Sequence, residues 1–351
     1  MKNLLIITQK VDKNDDHRGF FIDWLKEFAK NFDKVSVITV AEGLYTLPEN
    51  IQIYSLGKER RTPKIIQALR FYWYLMRLVP GSDGIFAHAS AIFVIASWPF
   101  AFIYRKKIIL WYLHRSVNLK LKLAEKLCYK IATSTKESLN IKSKKITEIG
   151  HGIDTEKFKT QRNWDKALSE DLRILSVGRI SKIKDYETLI KAAKILKDRG
   201  LNFKLKIIGR PVMDCDFEYF EQLKEMVSSL ALKDFVEFTG FIPYSRIADY
   251  YKESDIFINL APIGGIDKAV LEAMASGSLV LVSNAAFRNY FDGYSDKLSF
   301  DYQGPGSLAE KIISLSRLPP EEKKGISDFL ARSVSQNHNL ESLIKKLVDL
   351  F

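Results

Sequence analysis

Only two cysteines occur in the 351 residues, Cys128 and Cys215, far apart and with no CxxC pair. That excludes a disulfide framework and a zinc ribbon, and two lone thiols suit a reducing cytoplasm. No grouping of His, Cys, Asp and Glu has metal-ligand spacing, so no metal is expected. No GxGxxG follows the first apolar run, which argues against a nicotinamide site. Residues 84–104 carry no formal charge and are about long enough to span a bilayer. His88, Ser90, Ser97 and Pro99 interrupt them, so they read as strand, break and buried helix. The apolar run Leu4–Thr8 is too short for a secretory signal and leads straight into Lys10, Asp12 and Lys13. Low-complexity segments are missing as well.

Acidic residues are scarce in one half. Residues 1–165 hold 28 Lys and Arg against 16 Asp and Glu, whereas residues 166–351 hold 26 of each. The whole net charge of +12 therefore sits in the first half, and residues 51–150 concentrate it with 18 basic and 5 acidic side chains. A one-sided field speaks to the partner rather than to the fold. It suggests either nucleic acid or an anionic membrane face, and no recognition-helix or RNP-type motif supports nucleic acid.

What is present is ordinary globular material: 46% apolar and 27% charged residues, in a chain long enough for two domains. Leu4–Thr8, a helix over Gly19–Ala29 and the strand Val35–Val40 make a β-α-β start. Ile51–Ser55 is a further strand, and Lys64–Leu78 is helical in pattern. Phe71, Tyr72, Trp73, Tyr74 and Met76 crowd into that helix among basic residues. Such a run marks an interfacial helix or a core-packing one, and the core is the simpler reading. Gly84–His88 and Ile108–His114 each carry a strand out to a histidine, where a parallel sheet lines its ligand crevice. Lys120–Lys130 is a basic helix, Ile131–Ser134 a strand, and Thr135–Ser138 a helix start. Thr160–Glu170 is polar and reads as the linker. A second β-α-β series follows with the strand Leu172–Val177, a loop to Asp185, a helix Tyr186–Arg199, and the strand Phe203–Ile208. Val236–Pro243 is a strand and turn, a helix begins near Ile247, and Ser307–Leu315 and Glu341–Leu350 are amphipathic helices.

The stretch that organises the chain is 261–278. It follows the buried-strand pattern Asp255–Leu260, breaks at a proline and two glycines, forms a helix over Lys268–Ala275, ends at Gly277, and enters the strand Leu279–Val282. A helix opening on glycines offers backbone N–H groups and a positive dipole end to a phosphate. Glu272 lies inside this helix, too far from its start to cap it, where a carboxylate can accept a pair of hydroxyls. The bland alternative is an ordinary loop and a solvated glutamate. Arg179 and Lys184, on the loop after Leu172–Val177, are two cations able to neutralise a diphosphate.

The run LEAMASGSLVL, Leu271–Leu281, resembles the C-terminal core of glycosyltransferase family 4, retaining enzymes that use sugar nucleotides and have the GT-B fold. The run from Ser176 to Ala192 resembles the same family's phosphate-binding signature, with Asp185 where a glycine is usual. The resemblance implies two Rossmann-like domains with parallel sheets facing each other across a cleft. It places an acceptor domain at 1–165, joined by a C-terminal helix 338–351, and a nucleotide-sugar domain at 166–337. It implies that Arg179 and Lys184 hold phosphate and Glu272 the ribose, with Gly264, Gly265, Ile266 and Lys268 around the diphosphate. It further implies that Gly240, Phe241 and Ile242 meet the nucleobase, that Gly19 lets phosphates approach, and that His114 faces the donor sugar. His151 lies in the segment that closes the family's first domain. The family carries another glutamate eight positions before the one matching Glu272, with seven residues between them, and here that position is Gly264. Asp267 is the nearest carboxylate that could stand in, or it caps the helix. The reading is a metal-independent hexosyltransferase acting in the cytoplasm, with no cofactor, on a glycan or lipid-linked acceptor at an anionic membrane face. Its rivals are a catalytically silent nucleotide-sugar-binding subunit and, less favoured, a nucleic-acid-binding protein.

Overall fold

The structure, a computed structural model, describes residues 2–135, 138–164, 171–262 and 264–351, and Asn289 by its backbone alone. The chain divides into two compact units. One comprises Met1–Asp154, Pro243–Ser245 and His338–Phe351, and the other Thr155–Ile242 and Arg246–Asn337. The division falls at 154/155. The sequence placed it at 165, within residues that, like most of the expected linker, lie outside the described ones. The expected helix start at 135–138 also falls partly outside them.

In the first unit the strands are β1 (Asn3–Val11), β2 (Lys34–Glu42), β3 (Ile51–Ser55), β4 (Gly84–His88), β5 (Lys107–Trp111), β6 (Lys130–Thr133) and β7 (Ile146–Glu148). They form one parallel sheet in the order β3-β2-β1-β4-β5-β6-β7. Strands such as β1 read as continuous apolar runs because both faces of a parallel sheet are covered. Helix α1 (Phe21–Asn31) covers one face, and α2 (Lys64–Leu78), α3 (Ala91–Ile103) and α4 (Leu119–Leu127) supply the other.

The second unit opens with the single turn α5 (Thr155–Phe158). Its strands are β8 (Leu172–Val177), β9 (Phe203–Ile208), β10 (Val236–Gly240), β11 (Ile256–Asn259) and β12 (Leu279–Val282), all parallel, in the order β10-β9-β8-β11-β12. The intervening helices are α6 (Tyr186–Asp198), α7 (Asp214–Ser229), α8 (Tyr244–Glu253) and α9 (Lys268–Ala275). After β12 come two single turns, α10 (Arg288–Phe291) and α11 (Ser295–Leu298), then α12 (Pro305–Ser316) and α13 (Pro320–Asn337). Helices α7 and α13 carry no expectation from the sequence. The strand order reverses direction between β1 and β4 in one unit and between β8 and β11 in the other. These are the switch points where open α/β sheets hold ligands.

The last helix, α14 (Leu340–Val348), returns to the first unit. Leu340, Leu343, Ile344 and Leu347 form its apolar stripe in the core beside α1. Asn339 caps it, accepting the Ser342 N–H at 3.1 Å. Gly84 lies against the chain end: a Cβ there would fall 2.2 Å from the Phe351 ring, which would have to shift.

Three expectations need correction. Strand β5 stops at Trp111, so His114 lies three residues beyond it, exposed, rather than at the strand end. Helix α3 is not wholly buried, because Ile92, Phe102 and Ile103 are exposed. The aromatic run of α2 is not a core run: only Phe71 and Leu75 are buried, while Tyr72, Trp73 and Met76 face out.

Candidate functional site

Strands β8 and β11 pair directly, so the loops leaving their carboxyl ends lie side by side. The loop after β8 carries Arg179, Lys184 and Asp185. The loop after β11 carries Gly264, Gly265, Ile266 and Asp267.

Lys184 and Asp267 meet across these loops, the ammonium donating to Oδ2 at 2.6 Å. Asn259, the last residue of β11, donates to the same oxygen at 3.0 Å. The other oxygen of Asp267 accepts the Ala269 N–H at 3.1 Å and caps α9. Asp267 therefore is the cap, and it anchors Lys184 as well. Burial alone would raise its pKa, but the Lys184 charge and hydrogen bond, with the Asn259 and Ala269 donors, hold it below the ordinary carboxylate value. One N–H that the sequence offered to a phosphate at this helix start is thus taken by a side chain.

Glu272 is buried one turn further along α9, not solvated. Its Oε2 accepts the Tyr251 hydroxyl of α8 at 3.0 Å, and Lys268 lies 3.4 Å from Oε1, which makes no hydrogen bond among the described residues. Ile266 is buried between the glycines and Asp267. Gly264 has φ of +154°, a region that favours glycine, with no heavy atom within 4 Å of where a Cβ would point. A glutamate at 264 would be strained whatever the space.

Arg179 turns to a different carboxylate, with Nε 3.9 Å from Asp216, a buried residue that accepts the Met213 N–H at the start of α7. Asp185 adopts φ of +48° at the start of α6. That explains why a glycine is usual there, and aspartate is among the few side chains that tolerate it. Burial raises its pKa, and Oδ2 has no hydrogen-bond partner among the described residues. Gly209 serves close approach: a Cβ would sit 1.9 Å from the Gly178 carbonyl oxygen.

Gly240 ends β10, two strands from β8, and Phe241 and Ile242 follow it. Gly240 has φ of +73°, and Arg210 lies over the Phe241 ring at 5.2 Å. Gly19 and His114 belong to the first unit. Gly19 has a packing reason of its own, since a Cβ would lie 2.9 Å from the Asp15 carbonyl. His114 packs edge-on against Tyr112 at 5.4 Å. His88 is buried, stacked on Phe21 at 4.0 Å and 3.0 Å from the Thr8 hydroxyl. Burial, helped by Arg18, pushes its pKa down to about 3, so it is a neutral core residue. The His151 N–H donates to His338 Nδ1 at 3.2 Å, consistent with a structural part.

The structure thus brings Lys184 and Asp267 together, and Lys268 and Glu272. Sequence reasoning missed Asn259, Tyr251 and Arg162. Asn259 left a signal as the polar last residue of an apolar strand, whereas Tyr251 left none. Arg162 donates to the carbonyls of Tyr251, Ser254 and Ser276 and to the hydroxyls of Ser276 and Ser278, bracing α8 against α9.

Comparison with known proteins bears on the family and the fold. Residues 157–328 match the family described as "Glycosyl transferases group 1". The amylovoran biosynthesis glycosyltransferase AmsK of Erwinia amylovora is 35% identical over 147 residues, 40% of this chain and 34% of that protein. Alpha-monoglucosyldiacylglycerol synthase of Streptococcus pneumoniae is 32% identical over 167 residues, 47% of this chain and 36% of that one. The chain spans about a third to a half of the length of the curated relatives it matches. Among solved structures, Anabaena Alr3699/HepE in complex with UDP and glucose aligns over 99% of this chain and 98% of its own. Its TM-score is 0.76 at 14% identity, a likeness of fold. The chain has the GT-B fold, and its residues 157–328 are similar to the glycosyl transferases group 1 family.

Proposed function

We propose that the protein is a retaining glycosyltransferase that moves a hexosyl unit from a nucleoside-diphosphate sugar to a glycan or lipid-linked acceptor. The observation that carries the reading is the contact of Lys184 with Asp267, which sets a cation at the switch point of the second sheet with Glu272 one turn beyond. Lys184 has three N–H donors, and among the described residues its ammonium donates only to Asp267. The other two are available to phosphate oxygens. The chemical task is to hold negative charge as the diphosphate departs, and Lys184, Arg179 and the amino end of α9 are the groups suited to it. Glu272, oriented by Tyr251, accepts the ribose hydroxyls. Residues 240–242 flank the base, and Gly19 and His114 are assigned to the donor by the family resemblance. The relatives' names, a capsular polysaccharide biosynthesis glycosyltransferase and a monoglucosyldiacylglycerol synthase, support a glycan or lipid as the acceptor. The reaction needs no metal or other cofactor, and no nucleic acid takes part.

Incubation with a panel of nucleoside-diphosphate sugars and an acceptor extract, with and without chelator, tests this. Product with the anomeric configuration of the donor, undiminished by chelator, is expected. Inverted product overturns retention, and loss of turnover on chelation overturns metal independence.

A second reading keeps binding and drops turnover. Gly264 favours it, because the absent glutamate cannot be accommodated at that backbone angle without strain. Nucleotide binding without product from any donor selects it.

A further inference from the structure

Helix α2 carries two apolar stripes. Phe71, Leu75 and then Val79 recur every four residues and are buried against the sheet. Ile65, Leu69, Tyr72, Trp73 and Met76 recur at the same helical spacing on the other side, and there the exposure is large: 76% for Ile65, 66% for Leu69 and 56% for Met76. A globular helix needs only the first stripe. Ile65, Leu69 and Met76 in the second are too exposed for burial within the fold to explain their apolar character.

The outward stripe continues onto the neighbouring helix. Tyr72 packs against Phe100 of α3, ring centroids 6.2 Å apart, and Phe100 shares its helix face with Ile92 and Ile103, both exposed. Exposed apolar surface joined across two helices marks an interaction site rather than scattered surface residues. Its chemistry selects the partner. Neither α2 nor α3 contains an acidic residue, and between residues 61 and 124 only Asp83 is acidic against ten Lys and Arg. Lys64, Arg70 and Arg77 line α2, with Arg77 lying over Trp73 at 5.4 Å, and Arg105 and Lys106 follow α3. Tryptophan and tyrosine beside cations, around an aliphatic stripe, match the interfacial zone of an anionic bilayer. None of the helices among the described residues is long and apolar enough to cross a membrane, so contact is lateral.

We propose that the outward face of α2 and α3 docks onto an anionic lipid bilayer, with Leu69, Trp73 and Met76 inserted among the headgroups. This goes beyond glycosyl transfer and does not depend on it.

Co-sedimentation with vesicles of phosphatidylcholine, alone or mixed with phosphatidylglycerol, tests the proposal at low and high salt. Binding to the mixed vesicles, weak binding to the neutral ones, and a decline with salt are expected. The double variant Leu69→Asp with Met76→Asp abolishes binding. Lys64→Gln and Arg77→Gln each weaken it about fivefold. All these side chains are exposed, and unchanged thermal stability and nucleoside-diphosphate affinity confirm an intact fold. Loss of lipid binding with nucleotide affinity retained leaves the transferase reading untouched, and loss of both indicts the fold. Equal binding to both vesicle types, or none, overturns the proposal. So does a dimer in solution that the double variant converts to monomer, which would give the face to a second copy.

Discussion

The Lys184 ammonium donates to Asp267 Oδ2 at 2.6 Å, joining residues 83 apart in sequence at the point where the second sheet reverses its strand order. The same carboxylate caps α9, so the helix start and the cation are held as one unit. Removing either partner tests different things.

Lys184→Ala removes the cation and leaves Asp267 its Asn259 and Ala269 donors. Charge-assisted hydrogen bonds contribute roughly 1.5–3 kcal/mol each, so nucleoside-diphosphate affinity falls about tenfold or more in calorimetry. Unchanged affinity in a folded variant removes Lys184 from the site.

The pair also predicts an acid limit. Asp267 has its folded pKa held below its unfolded value of 3.8. Its stabilising contribution is present above that value and is lost as pH falls through the lower folded value. In Asp267→Asn this part of the acid dependence disappears, while the cap largely survives. Turnover unaffected by the same change leaves Asp267 with the structural role alone.

Glu272→Gln keeps the shape that Tyr251 contacts and removes the charge. Nucleotide affinity is expected to fall while the thermal midpoint holds. Tyr251→Phe leaves the carboxylate but removes its orienting hydroxyl, so it should weaken nucleotide binding less than Glu272→Gln. A collapse in stability with intact affinity in Glu272→Gln returns Glu272 to a purely structural part.

Asp185 is a buried carboxyl whose pKa is raised by burial. Its folded form favours the proton, so it costs stability as pH rises through 3.8 and beyond. Asparagine also tolerates the left-handed backbone. Asp185→Asn is expected to raise the thermal midpoint at pH 7, with the gain vanishing below about pH 4. A lower midpoint at neutral pH contradicts this.

Arg162 braces α8 and α9 through carbonyls and hydroxyls, and burial pushes its own pKa down to about 10. Arg162→Ala leaves several acceptors unsatisfied, at about 1–3 kcal/mol for each buried group, and the thermal midpoint should fall by many degrees. Lysine cannot reproduce the planar fork and should rescue little of it. An unchanged midpoint in Arg162→Ala rules out the brace.

Much of the second unit was legible in the chain. Leu172–Val177, Phe203–Ile208, Lys268–Ala275 and Leu279–Val282 lie where the apolar runs and the turn residues Gly209 and Gly277 place them. Hydrophobic period and turn chemistry are local properties, and they hold wherever the segment packs. Arg179, Lys184, Asp267 and Glu272 could be singled out as ionisable residues beside glycine turns.

What the chain alone could not settle was which of these groups face one another. That Lys184 finds Asp267, that Tyr251 holds Glu272, and that Arg162 spans three segments follow from the pairing of β8 with β11 and from the packing of α8 on α9, which are nonlocal. Helix α2 shows the same limit on one element. Its sequence carries two apolar stripes of similar strength, and periodicity identifies both without ranking them. Only the sheet, by burying Phe71 and Leu75, decided that Leu69, Trp73 and Met76 would face outward.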